Sequence, residues 1–219
     1  MVRWDRPCEP HKREGVHCRG CAYYDPVATR ILVVKLDALG DVLRTTCILP
    51  AIREKHPRAQ ITWITMPEAV PLLQHNPLVD RILPYGPDAL AVLGVERFDL
   101  ALCLDTAPRS AALGTLSKAA RKRGFGVDAD GRVFPFNREA LGWFLMGLFD
   151  DLKKANRRTY QDIVMEICGL GGMRQEITLR ITEEEREFAD RFAARAGIPS
   201  GSARAAKRSA NSRSSSVIL

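Results

Sequence analysis

Residues 30–46 read R-I-L-V-V-K-L-D-A-L-G-D-V-L-R-T-T, and this stretch decides the fold. Ile31, Leu32, Val33 and Val34 make a short, continuous apolar run rich in β-branched residues, the pattern of a parallel strand buried on both faces. Lys35 to Leu39 leave the strand. Gly40-Asp41 opens a helix whose apolar positions Val42, Leu49 and Ile52 recur at helical spacing. A first strand, a tight turn and a helix start form the ligand-binding corner of a doubly wound α/β domain, where the helix N-terminus offers free backbone N–H groups.

Downstream of that corner, strand and helix signals alternate. One helix is expected over 41–55, kinked at Pro50, which lacks an N–H. Strands are expected at 61–65, 79–83, 100–104 and 122–127, with helical segments at 67–74, 89–93 and 110–120 between them. Such spacing implies βαβ units with right-handed crossovers. Residues 128–137 read as a polar loop. Tyr160, Ile163, Val164, Ile167 and Cys168 then line one face of a helix ending at Gly169. A last helix over 183–196 has Thr182 as its cap and Phe188, Phe192 and Ala196 on its apolar side. The fold class is therefore α/β, a Rossmann-like parallel sheet with flanking helices.

Two flanks differ from this body. The head, residues 1–29, is polar and carries Cys8, His11, His17, Cys18 and Cys21. Zinc takes about four N or S ligands in a tetrahedron, and Cys8, His11, Cys18 and Cys21 would supply them. Cys8-x-x-His11 mirrors the Cys18-x-x-Cys21 knuckle, whereas His17 adjoins Cys18. A structural zinc would explain how so short a segment folds. Cys47, Cys103 and Cys168 sit in apolar runs and read as core thiols. The tail, residues 200–219, is Ser, Ala and Arg without periodicity and is expected to be disordered.

Composition narrows the function. With 46% hydrophobic and 27% charged residues the chain reads as a soluble globular protein. No apolar segment is long enough to span a bilayer and the start is no signal peptide, so a cytoplasmic location is expected. The net charge of +7 draws four of its cations, Arg204, Lys207, Arg208 and Arg213, from the tail. Nucleic acid is disfavoured by this distribution and by the few aromatics; the mild basic excess could face anionic phosphates on a membrane or a lipid headgroup, but a charge of this size is more often a solvated surface.

The run K-L-D-A-L-G-D-V-L-R-T-T, followed by L-P-A-I-R-E-K-H-P-R-A-Q-I-T-W-I-T, resembles the N-terminal domain of glycosyltransferase family nine, the ADP-heptose:lipopolysaccharide heptosyltransferases. The resemblance covers about residues 30–197, and its most specific part is Gly40-Asp41 followed by Thr45-Thr46. It implies the N-terminal, acceptor-binding half of a two-domain GT-B enzyme. Such an enzyme transfers a sugar from a nucleotide-sugar donor of the ADP-heptose type to a lipopolysaccharide-core or related glycan acceptor. It also implies Asp41 as the catalytic base. Sugar transfer needs such a base near the acceptor hydroxyl, and Gly40 permits close backbone approach. Lys35, Arg44 and Thr45 lie near the same corner, where they could contact acceptor phosphates or sugar hydroxyls or equally be solvated surface. Asp105 ends a strand, where it reads as a cap for the next helix. At 219 residues there is room for one such domain, and the break in composition at Ser200 falls where the family's donor domain would begin. A truncated or frame-shifted product, inactive by itself and prone to self-association, is the expectation.

Two other readings compete. A zinc-knuckle binding module for nucleic acid or protein on a Rossmann-like body would need basic and aromatic residues interleaved on one face. A dinucleotide-dependent oxidoreductase would need G-x-G-x-x-G after the first strand, and L-D-A-L-G-D has one glycine there.

Overall fold

The computed structural model describes residues 6–197. The expected disordered tail, 200–219, lies outside the described residues. Within them a short helix α1 (Glu9–Glu14) precedes an alternating body. β1 (Thr29–Val34) leads to α2 (Leu39–Thr45) and α3 (Ile48–Lys55). β2 (Ala59–Thr65) is followed by a 3-10 turn (Pro67–Ala69) and α4 (Val70–Leu73). β3 (Arg81–Pro84), α5 (Pro87–Val95), β4 (Arg97–Cys103), α6 (Pro108–Leu116) and β5 (Lys118–Val127) continue the pattern. β6 (Val133–Pro135), α7 (Arg138–Leu148), α8 (Asp150–Ala155), α9 (Tyr160–Ile167) and α10 (Glu183–Arg195) complete it.

The strand order is β3-β2-β1-β4-β5-β6. The first five strands are parallel, and β6 returns antiparallel against the end of β5. This is the doubly wound order with its switch point between β1 and β4. Ile31 to Val34 are all fully buried, two side chains to each face. Ile31 and Val33 join Trp63, Leu102 and Phe125 under α2, α3 and α9. Leu32 and Val34 join Ile64, Leu93, Cys103 and Leu113 under α5 and α6. Continuous hydrophobicity is the consequence of covering both faces.

Three expectations are corrected. The helix expected over 41–55 is two helices, and the break comes at Thr46-Cys47 rather than at Pro50. Pro50 has no N–H to give the Thr46 carbonyl, which accepts instead from Leu49 N at 3.0 Å. The proline thus sits in the first turn of α3, where a missing donor costs little. Residues 118–120 belong to β5, not to the preceding helix, because pairing with β4 overrides the helical look of K-A-A-R-K. The loop expected over 128–137 contains β6. Gly124 is where β5 presses on β4: its φ is +90° and an added Cβ would lie 1.7 Å from the Cys103 carbonyl oxygen. Among the described residues no helix is long and apolar enough to cross a membrane.

Candidate active site

The crevice at the switch point is lined by the residues at the exits of β1 and β4. Lys35 continues β1, its N–H donating to Ile64 O, while Leu104 N donates to Val34 O. Lys35 is 3% exposed. Its ammonium donates to the Asp105 carboxylate and to Asp37 O, and lies 4.0 Å from Asp41 Oδ2. The other oxygen of Asp105 accepts from Leu36 N at 2.8 Å and from Ser110 Oγ at 3.2 Å. Asp105 is therefore a strut that ties β1's exit to β4's exit, and not a helix cap; the N-cap of α6 is Ala107. Burial makes this pair costly to break, since an unpaired charge would be left without water.

Asp41 stands in the first turn of α2, whose N-cap is Ala38. An acid there is favoured by the exposed N–H groups. Its side chain is 35% exposed and also accepts from the Arg44 guanidinium. Gly40 beside it is exposed, and an added Cβ would meet nothing within 4 Å, so the mouth of the corner is open. Arg44 lies over the Tyr160 ring at 4.5 Å. Thr45 is fully buried. Its hydroxyl donates to Asp41 O at 2.6 Å and so accepts from the Tyr160 hydroxyl, also at 2.6 Å. Burial pushes the Tyr160 hydroxyl well above the usual phenol range; it is a donor, not a base. Trp143 of α7 meets Tyr160 edge to face at 5.4 Å.

The sequence-expected residues Lys35, Gly40, Asp41, Arg44 and Thr45 thus converge on one corner, in unequal positions. Asp41 and Arg44 face outward. Lys35 and Thr45 face inward and hold the corner's shape. Chemically the site offers the accessible Asp41 carboxylate flanked by two cations, Lys35 behind it and Arg44 beside it. Such an arrangement can accept a proton from a bound hydroxyl and hold an anionic substituent nearby.

The chain is similar in sequence to a curated protein and in fold to several solved structures. The chain is 26% identical over 172 residues to the lipopolysaccharide core heptosyltransferase OpsX of Haemophilus influenzae, covering 74% of this chain and 47% of that protein. A glycosyl transferase family 9 structure from Veillonella parvula superposes with a TM-score of 0.55 at 20% identity, over 79% of this chain and 51% of that one. The ADP-heptose lps heptosyltransferase II of E. coli gives 0.50 at 19% identity, over 78% of this chain and 51% of that one. The likeness is to glycosyltransferase family nine. No family model matches the chain. The chain spans about half the length of the relatives it matches.

Sequence reasoning missed Tyr160, Asp37, Arg109 and Ser110 as parts of this corner. Arg109 lies 3.6 Å from Asp37 and over the Tyr85 ring at 5.4 Å. In the sequence Tyr160 reads as one more apolar helix position. Its signal is its place directly after Thr159, the first residue of a capping box with Asp162, because a helix start at the open end of the sheet faces the crevice.

The head does not assemble the expected zinc site. Among the described residues no group of three or more His, Cys, Asp or Glu side chains is placed to hold a metal ion. Cys8 is the N-cap residue of α1, and Cys18 is exposed in a turn closed by Cys21 N on Cys18 O. His11 Nδ1 lies 2.9 Å from Val16 O, and its ring stacks edge-on with His17. Ordinary hydrogen bonds and the ion pair of Arg58 with Asp25 order the segment instead. Nothing in this arrangement supports the zinc-knuckle reading.

Proposed function

We propose that residues 30–199 form the acceptor-side half of a heptosyltransferase-type glycosyltransferase. The observation that carries this reading is the accessible Asp41 carboxylate at the switch-point crevice, backed by Lys35 at 4.0 Å. The names of the relatives, a lipopolysaccharide core heptosyltransferase and an ADP-heptose enzyme, support the choice of substrates. In the proposed reaction an acceptor hydroxyl attacks the donor's anomeric carbon. The bond from that carbon to the diphosphate oxygen breaks, and the diphosphate leaves with the electron pair. Asp41 takes the hydroxyl proton, and the configuration inverts. Arg44 positions the acceptor's anionic groups. Thr45 and Tyr160 hold the turn that carries Asp41.

A nucleotide-sugar of the ADP-heptose type is the proposed donor. Residues to hold it are not assigned among those described. The acceptor is a glycan of the lipopolysaccharide-core type, met at the cytoplasmic face of a membrane.

The test is calorimetric titration of the chain with a core oligosaccharide lacking heptose and, separately, with ADP-heptose. The oligosaccharide is expected to bind and ADP-heptose to give no heat. Arg44→Ala should weaken oligosaccharide binding about tenfold, the size of a lost charge-assisted hydrogen bond. Binding of ADP-heptose alone would overturn the acceptor assignment.

A further inference from the structure

At the opposite ends of α3 and α9 from the crevice, a cavity of about 130 Å³ opens between α3, α9 and the sheet. Its floor is apolar: Ile52, Leu100, Leu102, Cys168 and Leu170. The remaining lining residues are Lys55, His56, Arg121 and Arg123, with no acid among them. Lys55 and His56 come from the C-terminal end of α3, and Arg121 and Arg123 from one face of β5.

Part of the cluster has a structural explanation. Lys55 donates to Gly169 O at 3.0 Å and Arg123 to Ile167 O at 3.1 Å, which satisfies carbonyls at the C-terminal end of α9. Arg123 also meets Glu139 at 3.3 Å, outside the lining. These bonds fix two cations in place. They do not account for Arg121 or for the His56 ring, neither of which has a side-chain hydrogen bond among the described residues.

We propose that this cavity is a binding site for a small phosphate-class oxyanion, remote from the sugar-transfer corner. Its volume suits a phosphate group and not a nucleoside. The apolar floor lowers the local dielectric and strengthens each charge-assisted bond. Lys55 and Arg123 are pre-organised by α9, so little side-chain entropy is lost on binding. Arg121 and His56 supply the free donors. Burial and then the neighbouring Lys55 and Arg121 hold His56 below its ordinary range, as expected of an imidazole in an electropositive pocket.

His56 provides the readout. Its imidazole resonances, assigned by loss in His56→Gln, are followed by NMR against pH in inorganic phosphate and in chloride of equal ionic strength. Phosphate should raise the His56 midpoint by about half a pH unit or more over chloride, and Arg121→Gln should weaken the effect about tenfold. Vesicles of phosphatidylglycerol, compared with phosphatidylcholine, identify the source: a shift with anionic vesicles and not with free phosphate assigns the group to a lipid headgroup. Equal shifts in phosphate and chloride with no vesicle effect, or an unchanged response in Arg121→Gln, would overturn the site. None of these readouts depends on glycosyl transfer, so the proposal stands or falls apart from that reading.

Discussion

Asp105 shows how one carboxylate can fix the shape of a corner from behind it. Its oxygens hold the Lys35 ammonium, the Leu36 N–H and the Ser110 hydroxyl, so the exits of β1 and β4 and the first turn of α6 meet at one side chain. Lys35 in turn sets a positive charge behind Asp41. Asp105→Ala removes the partner of a buried cation and orphans a backbone donor. A loss of about 3–5 kcal/mol is expected in urea unfolding. Asp105→Asn keeps the acceptor for Leu36 N and should lose less. A stability of Asp105→Ala within about 1 kcal/mol of the parent would mean that water reaches Lys35 and that the pair is not the strut inferred from its burial.

At the scale of elements, α9 carries Tyr160 to the corner, and its start is set by the Thr159 capping box with Asp162. The Thr159 and Gln175 side chains donate to Asp162 and hold its carboxyl below the usual range. A depressed carboxyl contributes stability above its unfolded value of about 4, and that contribution is lost as pH falls through the folded value. Thr159→Ala is expected to cost about 1 kcal/mol at neutral pH. The gap to the parent should narrow below about pH 4, where Asp162 takes up its proton in both. Urea midpoints at neutral and acid pH check this; a gap independent of pH would assign the loss to the hydroxyl cap alone.

For the molecule as a whole, the apolar surface that is left uncovered matters most. Leu148, Phe149 and Leu152 at the α7–α8 turn are exposed, and so are Phe188 and Phe192 on α10, at 65% and 61%. The apolar side of α10 was legible in the sequence, but the described residues provide nothing for it to pack against. Apolar surface of this kind drives association. Sedimentation velocity should therefore show species heavier than the 24.4 kDa chain, growing with concentration. The double substitution Phe188→Asp, Phe192→Asp should shift the population toward monomer. A parent that stays monomeric across micromolar concentrations would show that these side chains are solvated without penalty.

Residues 30–46 by themselves determined the α/β class and the corner, because a strand buried on both faces must be apolar throughout and a helix must begin where the strand's polar exit turns. The family resemblance of the same residues pointed to Asp41. What the sequence could not carry was long-range. The pairing of Lys35 with Asp105 spans 70 positions and that of Thr45 with Tyr160 spans 115, and neither leaves a local pattern. The β5 start looked helical because K-A-A-R-K lacks β-branched residues, and only the β4 partner made it a strand. The Cys and His spacing of the head suggested a metal by composition, while local backbone bonds and ion pairs set its conformation. Local chemistry chose the elements; tertiary packing decided which polar groups turn inward to hold the site and which, Asp41 and Arg44, remain at its mouth.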